Sequence, residues 1–277
     1  VQVLTTIAEV RAARRRWPAL GFAPTMGYLH AGHISLVERA RAECGAALAS
    51  IFINPTQFGP NEDLDRYPRD PEGDLARLEA AGADAVFLPT PEVIYPPGFS
   101  ASLDLGDVTR RLEGAVRPHH FAGVATVVTK LFNIVQPTRA YFGQKDAQQC
   151  VVIRKLVRDL DLPVEIVIGD TVREPDGLAL SSRNSYLTPD QRARAPALFR
   201  ALTAARDAFA AGERDAETLR ALVRRELGGD LAPATDYVSI ADPDTLEELA
   251  QVTGGALASL AVRFGATRLI DNVRLQS

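Results

Sequence analysis

The sequence predicts an α/β protein built on a doubly wound parallel sheet, followed by a smaller α+β domain. Three observations carry this. Short apolar runs alternate with helical patterns over residues 20–168, the alternation changes character near Glu174-Pro175-Asp176-Gly177, and 277 residues suit one large domain with a small companion.

Taken in order, residues 1–17 read as a helical pattern carrying Arg14, Arg15 and Arg16. They contain neither an apolar signal core nor a small-residue cleavage site, so export is not expected. Residues 20–23 form an apolar strand that passes through Pro24-Thr25-Met26-Gly27 into a helix with apolar positions Val37, Ala40 and Cys44. Residues 46–53 are apolar enough for a strand buried on both faces, followed by an Asn54-Pro55 turn and a polar loop through Asp70. A helix over 71–81, a strand at 85–88, a helix over 121–135, a strand at 140–142, a helix over 147–160 and a strand at 164–168 continue the alternation. Beyond it the pattern predicts one long helix, a shorter one, and strand-like runs at 237–240, 256–264 and 267–270. The long helix has a marked start: Thr188 as N-cap, Pro189 at the first helical position and Gln191 to complete a capping box. The expected domains are therefore residues 1–174 and 175–277.

Composition narrows the function. With 46% hydrophobic and 24% charged residues, and no apolar run near the ~20 residues that span a bilayer, the chain reads as an ordinary globular protein without a membrane segment. A net charge of −4 opposes nonspecific nucleic-acid binding, which depends on Lys and Arg displacing counterions from phosphates. Cys44 and Cys150 fall inside predicted helices far from any metal-ligand spacing, so both read as core thiols in a reducing, cytoplasmic compartment. Of 31 basic side chains only Lys130, Lys145 and Lys155 are lysine, which makes each lysine worth a question. All four histidines fall in two tight groups, His30 with His33 and His119 with His120. Clustering of that kind points to sites.

The strongest signal is Pro24-Thr25-Met26-Gly27-Tyr28-Leu29-His30-Ala31-Gly32-His33, where the first predicted strand hands over to the first helix of the sheet. Open parallel sheets bind ligands beyond the carboxyl ends of their strands, and a helix N-terminus there offers unpaired N–H groups and a positive dipole to an anion. Gly32 lets a nucleotide approach the backbone. The same dipole disfavours protonation of His30 and His33, leaving neutral rings that each donate one N–H to a phosphate in transition. As an alternative, the pair is only capping or surface histidine. A second segment, Gly177-Leu178-Ala179-Leu180-Ser181-Ser182-Arg183-Asn184, offers two hydroxyls and a planar guanidinium to a departing pyrophosphate, or is simply a polar turn ahead of the Thr188 helix. Between them Phe142-Gly143-Gln144-Lys145-Asp146-Ala147-Gln148-Gln149 again joins a strand end to a helix. Lys145 suits the α- or β-phosphate, Gly143 admits the adenosine, and Gln149 binds an organic substrate through its amide; otherwise Asp146 is only an N-cap and Lys145 a surface side chain. Asn54 and Gln57 follow another strand end and are neutral binders of hydroxyl or carboxylate, or turn residues alone.

His30-Ala31-Gly32-His33 resembles the His-x-Gly-His motif of class I aminoacyl-tRNA synthetases and small nucleotidyltransferases, and the Ser181-Ser182-Arg183 segment stands where that superfamily keeps its mobile lysine-rich loop. Together with Asn54-Pro55-Thr56-Gln57-Phe58, His120-Phe121-Ala122-Gly123-Val124, Phe142-Gly143-Gln144-Lys145-Asp146 and Val172-Arg173-Glu174-Pro175-Asp176-Gly177-Leu178-Ala179, these segments make nearly the whole chain resemble the pantothenate synthetase family. The resemblance implies a Rossmann-like nucleotide- and pantoate-binding domain over 1–174 and a lid domain over 175–277 carrying the serine loop. It implies catalytic roles for His30, His33, Lys145, Ser181, Ser182 and Arg183. ATP contacts are expected at these residues and at Pro24, Thr25, Met26, Gly27, Gly32, Gly143, Asp146, Val172 and Leu180, and pantoate or β-alanine contacts at Gln57, Gln149, Asn54 and Met26. The implied partners are ATP with Mg2+, pantoate and β-alanine, and the implied assembly is a homodimer. Gln144 departs from the glutamate usual in the family, and Leu180 from a common methionine. Gly73-Asp74 replaces the consecutive aspartates of some relatives, so no protein-held metal is expected and the ATP phosphates carry the magnesium.

Rival classes make distinct expectations. A related nucleotidyltransferase acting on another small substrate shares the first motif, yet lacks the pairing of Gln57 with Gln149. A zinc hydrolase would need His119 and His120 to aim at one ion, which adjacent residues do poorly. A non-catalytic nucleotide-binding regulator would bind ATP tightly without turnover.

Overall fold

The computed structural model describes residues 1–60 and 62–276; Asn61, inside the predicted polar loop, and Ser277, the last residue of the predicted second domain, lie outside them. Among the described residues nine strands form, β1 (Gln2–Leu4), β2 (Gly21–Thr25), β3 (Ala47–Ile51), β4 (Ala85–Phe87), β5 (Arg139–Gly143), β6 (Glu165–Gly169), β7 (Thr235–Ala241), β8 (Ala256–Phe264) and β9 (Thr267–Leu275). The helices are α1 (Ile7–Arg14), α2 (Ala31–Cys44), α3 (Pro71–Ala80), the single turns α4 (Pro91–Ile94) and α5 (Glu113–Val116), α6 (His120–Val135), α7 (Ala147–Asp159), α8 (Pro189–Arg194), α9 (Ala197–Ala210) and α10 (Ala216–Leu227). By compactness the chain divides into two units, 1–143 with 152–170, and 144–151 with 171–276 among the described residues.

In the first unit six parallel strands lie in the order β1-β4-β3-β2-β5-β6, the doubly wound arrangement. Their alternation sorts the core onto two faces. On one, Ala23, Ala47, Ala49, Val86 and Tyr141 pack with Leu36, Val37 and Ala40 of α2 and Leu78 of α3. The opposite face includes Phe142, whose ring meets Phe132 of α6 edge-on at 6.4 Å. The order reverses direction between β2 and β5, which makes the carboxyl ends of those strands the topological switch point. The ladder between them is short: Gly21 pairs with Arg139 and Phe22 with Ala140, and it stops before Pro24, which has no N–H to contribute. The strand ends are thereby left apart where α2 begins.

The second unit holds the antiparallel sheet β7-β8-β9. Its inner face buries Ile240, Ala258, Leu260 and Val262 against Leu198, Leu202 and Phe209 of α9 and Leu219 and Val223 of α10.

Three expectations change. Within the helical reading of residues 1–17, Gln2–Leu4 is a strand that pairs in parallel with β4, and only Ile7–Arg14 is helical, started by the reciprocal Thr6–Glu9 capping box. The long helix after Thr188 is two helices: its capping box with Gln191 forms, but α8 ends at Arg194 and α9 begins after Pro196, whose ring and missing N–H do not continue the turn. Cys150 is a buried thiol, whereas Cys44 is half-buried with Sγ 3.5 Å from the Tyr141 hydroxyl.

Candidate active site

The strand β2 ends in Thr25, whose hydroxyl donates to the Ser50 carbonyl at 2.7 Å and accepts the Gly27 N–H at 3.2 Å. The chain then turns through Gly27, at φ +85°, and Tyr28, at φ +52°. A Cβ on Gly27 would lie 2.9 Å from Ile51 Cγ2, so this turn demands glycine on both backbone and steric grounds. The buried carboxylate of Asp74 on α3 locks it in place: Oδ2 accepts the Tyr28 N–H and Oδ1 the Leu29 N–H, each at 2.7 Å. With both oxygens turned to backbone N–H groups, Asp74 is a clamp on the loop that delivers His30.

His30 is the N-cap of α2 and His33 its third residue, and the two form a capping box made of imidazoles. Nδ1 of His30 accepts the Gly32 N–H at 3.2 Å, and Nδ1 of His33 accepts the His30 N–H at 3.3 Å. An Nδ1 that accepts carries no proton, so each ring is in its neutral Nε2–H form; an imidazolium in either place would set N–H against N–H. The rings lie 4.0 Å apart, tilted by 32°. Capping and chemistry, opposed as alternatives above, are one arrangement here: the cap fixes which nitrogen donates.

Beyond β3, Asn54 is buried and caps the turn Pro55–Gln57. Its amide donates to Gln57 Oε1 at 3.0 Å and to the Gly123 carbonyl at 3.2 Å, while its Oδ1 accepts the Tyr95 hydroxyl at 2.7 Å. Gln57 Nε2 reaches Met26 Sδ at 3.2 Å. The structure thus brings Met26, Asn54 and Gln57 together. It also adds Tyr95 and His120, which the sequence did not assign. His120 Nδ1 stands 2.8 Å from the Gln57 carbonyl and Nε2 3.3 Å from Arg117. Since a carbonyl only accepts and a guanidinium only donates, the proton sits on Nδ1. Desolvation, reinforced by the Arg117 charge, holds this imidazole down at about 4, so it is neutral near pH 7. Arg117 is in turn ion-paired to Glu62 at 2.5 Å. Gly143, at the end of β5, has open space where a side chain would stand.

In the second unit Lys145 lies in the turn Gln144–Asp146 just before α7, with Nζ 3.6 Å from Asp146 and the side chain mostly buried. The other lysines serve structure: Lys130 sits over the Phe99 ring at 4.4 Å and Lys155 is ion-paired with Asp159 at 2.5 Å. Gln149 is on the first turn of α7, half-buried. Val172 accepts the Leu180 N–H at 3.0 Å, which closes a tight hairpin leading into Ser181. Ser181 caps the short helical turn Ser182–Tyr186 by accepting the Arg183 N–H at 3.3 Å, and Ser182 is buried. Pro24, Thr25, Met26, Gly27, His30, Gly32, His33, Asn54, Gln57 and Gly143 therefore belong to the first unit. Lys145, Asp146, Gln149, Val172, Leu180, Ser181, Ser182 and Arg183 belong to the second.

A six-stranded doubly wound sheet whose switch-point helix is capped by His-x-Gly-His defines a Rossmann-like α/β protein with its histidines at the ligand-binding end of the sheet. The family is shown by comparison. A family profile described as pantoate-beta-alanine ligase matches residues 2–274, and the chain belongs to that family. It is 64% identical to the pantothenate synthetase of Herpetosiphon aurantiacus over 274 residues, 99% of each chain. Among solved structures it resembles pantothenate synthetase from Thermus thermophilus, at 49% identity and a TM-score of 0.95 over 100% of both chains. It also resembles the pantoate-beta-alanine ligase of Francisella tularensis complexed with beta-gamma ATP and beta-alanine, at 32% identity and a TM-score of 0.79, covering 99% of this chain and 97% of that one.

Proposed function

We propose that this chain condenses pantoate with β-alanine at the expense of ATP. The pantoate carboxylate attacks the α-phosphorus of ATP, pyrophosphate leaves, and the β-alanine amine then attacks the acyl carbon of the pantoyl adenylate to release AMP and pantothenate. The observation that carries this reading is the imidazole capping box at the switch point: two neutral rings held as Nε2–H donors at a helix N-terminus, in a chain of this family.

In the first step charge grows on the nonbridging and leaving oxygens of the triphosphate, and preorganised donors lower the barrier there. His30 and His33 supply imidazole N–H groups, Lys145 an ammonium, Ser181 and Ser182 hydroxyls, and Arg183 a guanidinium. Pro24, Thr25, Met26, Gly27, Gly32, Gly143, Asp146, Val172 and Leu180 border the nucleotide. Gln57, held by the buried Asn54 and reaching Met26 Sδ, binds the pantoate hydroxyls and carboxylate, with Asn54 acting by holding it; Gln149 is a further contact for the organic substrate. Magnesium arrives as part of the substrate, MgATP, since both oxygens of Asp74 are taken by backbone N–H groups. The mixed anhydride is already reactive, so the second step needs the amine held in line and water kept out, not a strong base. The proposal places the enzyme in the cytoplasm as a homodimer. No helix among the described residues is long and apolar enough to cross a membrane.

The test is ATP–pyrophosphate exchange without β-alanine. Exchange that requires pantoate is expected, and Lys145→Ala abolishes it while leaving the melting transition in place. Exchange that ignores pantoate, or near-normal exchange in Lys145→Ala, would refute the assignment.

A further inference from the structure

One dipeptide on β9, Asp271-Asn272, holds two segments of the second unit that carry the groups assigned to phosphate. Both side chains are buried. The Asn272 amide Nδ2 donates to the carbonyls of Gln144 at 3.0 Å and Lys145 at 2.9 Å, while its Oδ1 accepts Gln144 Nε2 at 3.0 Å. These partners fix the amide's orientation, since only the NH2 end satisfies two carbonyls. Arg274 donates to Gln144 Oε1 at 3.1 Å, so both ends of the Gln144 side chain are held from β9. A glutamate at 144 would have no N–H for Asn272 Oδ1.

One residue earlier, Asp271 receives both ends of the Arg173 guanidinium, at 2.7 and 2.9 Å. That guanidinium lies 3.7 Å from the Phe199 ring and also donates to the Gly177 carbonyl at 3.0 Å. Gly177 sits at φ +93°, and a Cβ there would be 2.6 Å from Phe199 Cδ1. The 173–177 turn is therefore built around Arg173, and the residues that leave it, through the Arg173–Ala179 bridge, are those that deliver Ser181, Ser182 and Arg183.

We propose that Asp271-Asn272 is the positioning element of the phosphate-binding groups: Asn272 sets the turn that carries Lys145, and Asp271, through Arg173, sets the start of the serine loop. The inference rests on the reading of Lys145 as a phosphate ligand. A lysine ammonium is a point charge on a flexible four-carbon stem, so the place of its backbone decides which phosphate it meets. A neutral amide fixes that backbone without adding a further charge to the Lys145–Asp146 pair.

The test is equilibrium binding of MgATP and of adenosine by calorimetry to wild type, Asn272→Asp, Lys145→Ala and the double variant, with melting curves beside them. Asn272→Asp keeps size and the acceptor for Gln144 but sets an oxygen against the two carbonyls. It is expected to weaken MgATP about tenfold while adenosine affinity is unchanged, and to add nothing in the Lys145→Ala background. Equal losses for adenosine and ATP, unchanged ATP affinity, or additive losses in the double variant overturn the proposal. Wild-type ATP affinity in Lys145→Ala would instead sink the reading of Lys145 itself. Should Asn272→Asp fail to fold, Asn272→Ser, which removes the amide without adding charge, carries the same comparison.

Discussion

Asp74→Asn isolates what holds the histidine motif. In the protein the carboxylate accepts two backbone N–H groups at 2.7 Å, from Tyr28 and Leu29, with the Arg77 guanidinium 3.4 Å from Oδ1, at a residue that is 1% exposed. The substitution preserves shape but leaves one oxygen as acceptor and turns an NH2 toward the other N–H. Bonds to a charged acceptor contribute about 1.5–3 kcal/mol, and a buried donor left unsatisfied costs about 1–3 kcal/mol. The two effects overlap, so a loss of about 2–4 kcal/mol falls on the loop. That is well inside the ~5–15 kcal/mol typical of a folded protein, and the variant should fold with a melting point lowered by roughly 5–10 °C. The loop has little reason to keep its shape, because Tyr28 sits at φ +52°, a conformation that ordinary side chains disfavour. Relaxation there moves His30, and a displacement near 1 Å costs about 10²-fold in rate. Pantoate-dependent ATP–pyrophosphate exchange should fall by about that factor, with no recovery when magnesium is raised tenfold. Wild-type exchange in a folded Asp74→Asn protein would refute the clamp, and recovery with magnesium would make Asp74 a metal ligand instead.

His120 predicts an acid limb of stability. Its folded value near 4 lies below the ordinary value of 6.5, so the unfolded state binds the extra proton between them; the stabilisation is full above pH 6.5 and is lost as pH falls toward 4. The gap corresponds to about 3 kcal/mol, and His120→Asn should flatten the slope of unfolding free energy against pH in that window; an unchanged slope would exclude the ring. Ser182→Ala and Arg183→Ala should each lower pantoate-dependent exchange by about 10²–10³ with a normal melting curve, as expected for donors that act on the leaving pyrophosphate. A fall confined to the β-alanine step, read as normal exchange with slow pantothenate release, would move both residues out of the first half-reaction.

The parallel sheet was legible because strands buried on both faces read as unbroken apolar runs, and the intervening helices have their own period. What escaped has physical reasons. β1 is three residues long with Gln2 and Val3 exposed, so no alternation distinguishes it; only its ladder to β4 makes it a strand. β9 runs to Leu275, past the apolar run that marks its start, because Asp271 and Asn272 are buried polar residues with specific partners. The break at Pro196 lies between two stretches that share a helical period, so the pattern reads as one long helix although the chain forms two. In the site, histidine clustering and the lone lysine turn were readable, but their supports were not. Asp74 meets backbone N–H groups more than forty positions away, and Asn272 carbonyls more than a hundred away, so nothing local announces either. Tautomers are equally hidden, since they follow from which backbone groups a ring faces.

The imidazole capping box is itself an argument about ligand charge. Serine, threonine and aspartate are the good N-caps, and aspartate also pairs well with the helix dipole, so a protein selected for helix stability alone would not cap α2 with His30. A carboxylate there would face any anion bound at the same N-terminus: two unit charges 5 Å apart repel by about 3 kcal/mol at an effective dielectric of 20, and a triphosphate carries several. A serine removes the repulsion but spends its short side chain on the cap. A neutral imidazole carries its lone pair and its N–H on different ring nitrogens that point in divergent directions, so Nδ1 can cap the helix while Nε2–H is directed elsewhere. His33 repeats the device one turn on, with Nδ1 on the His30 N–H. Under the proposed function, histidine at both places meets two requirements at once: a helix end that must be capped and hydrogen-bond donors for an anion such as a nucleotide triphosphate.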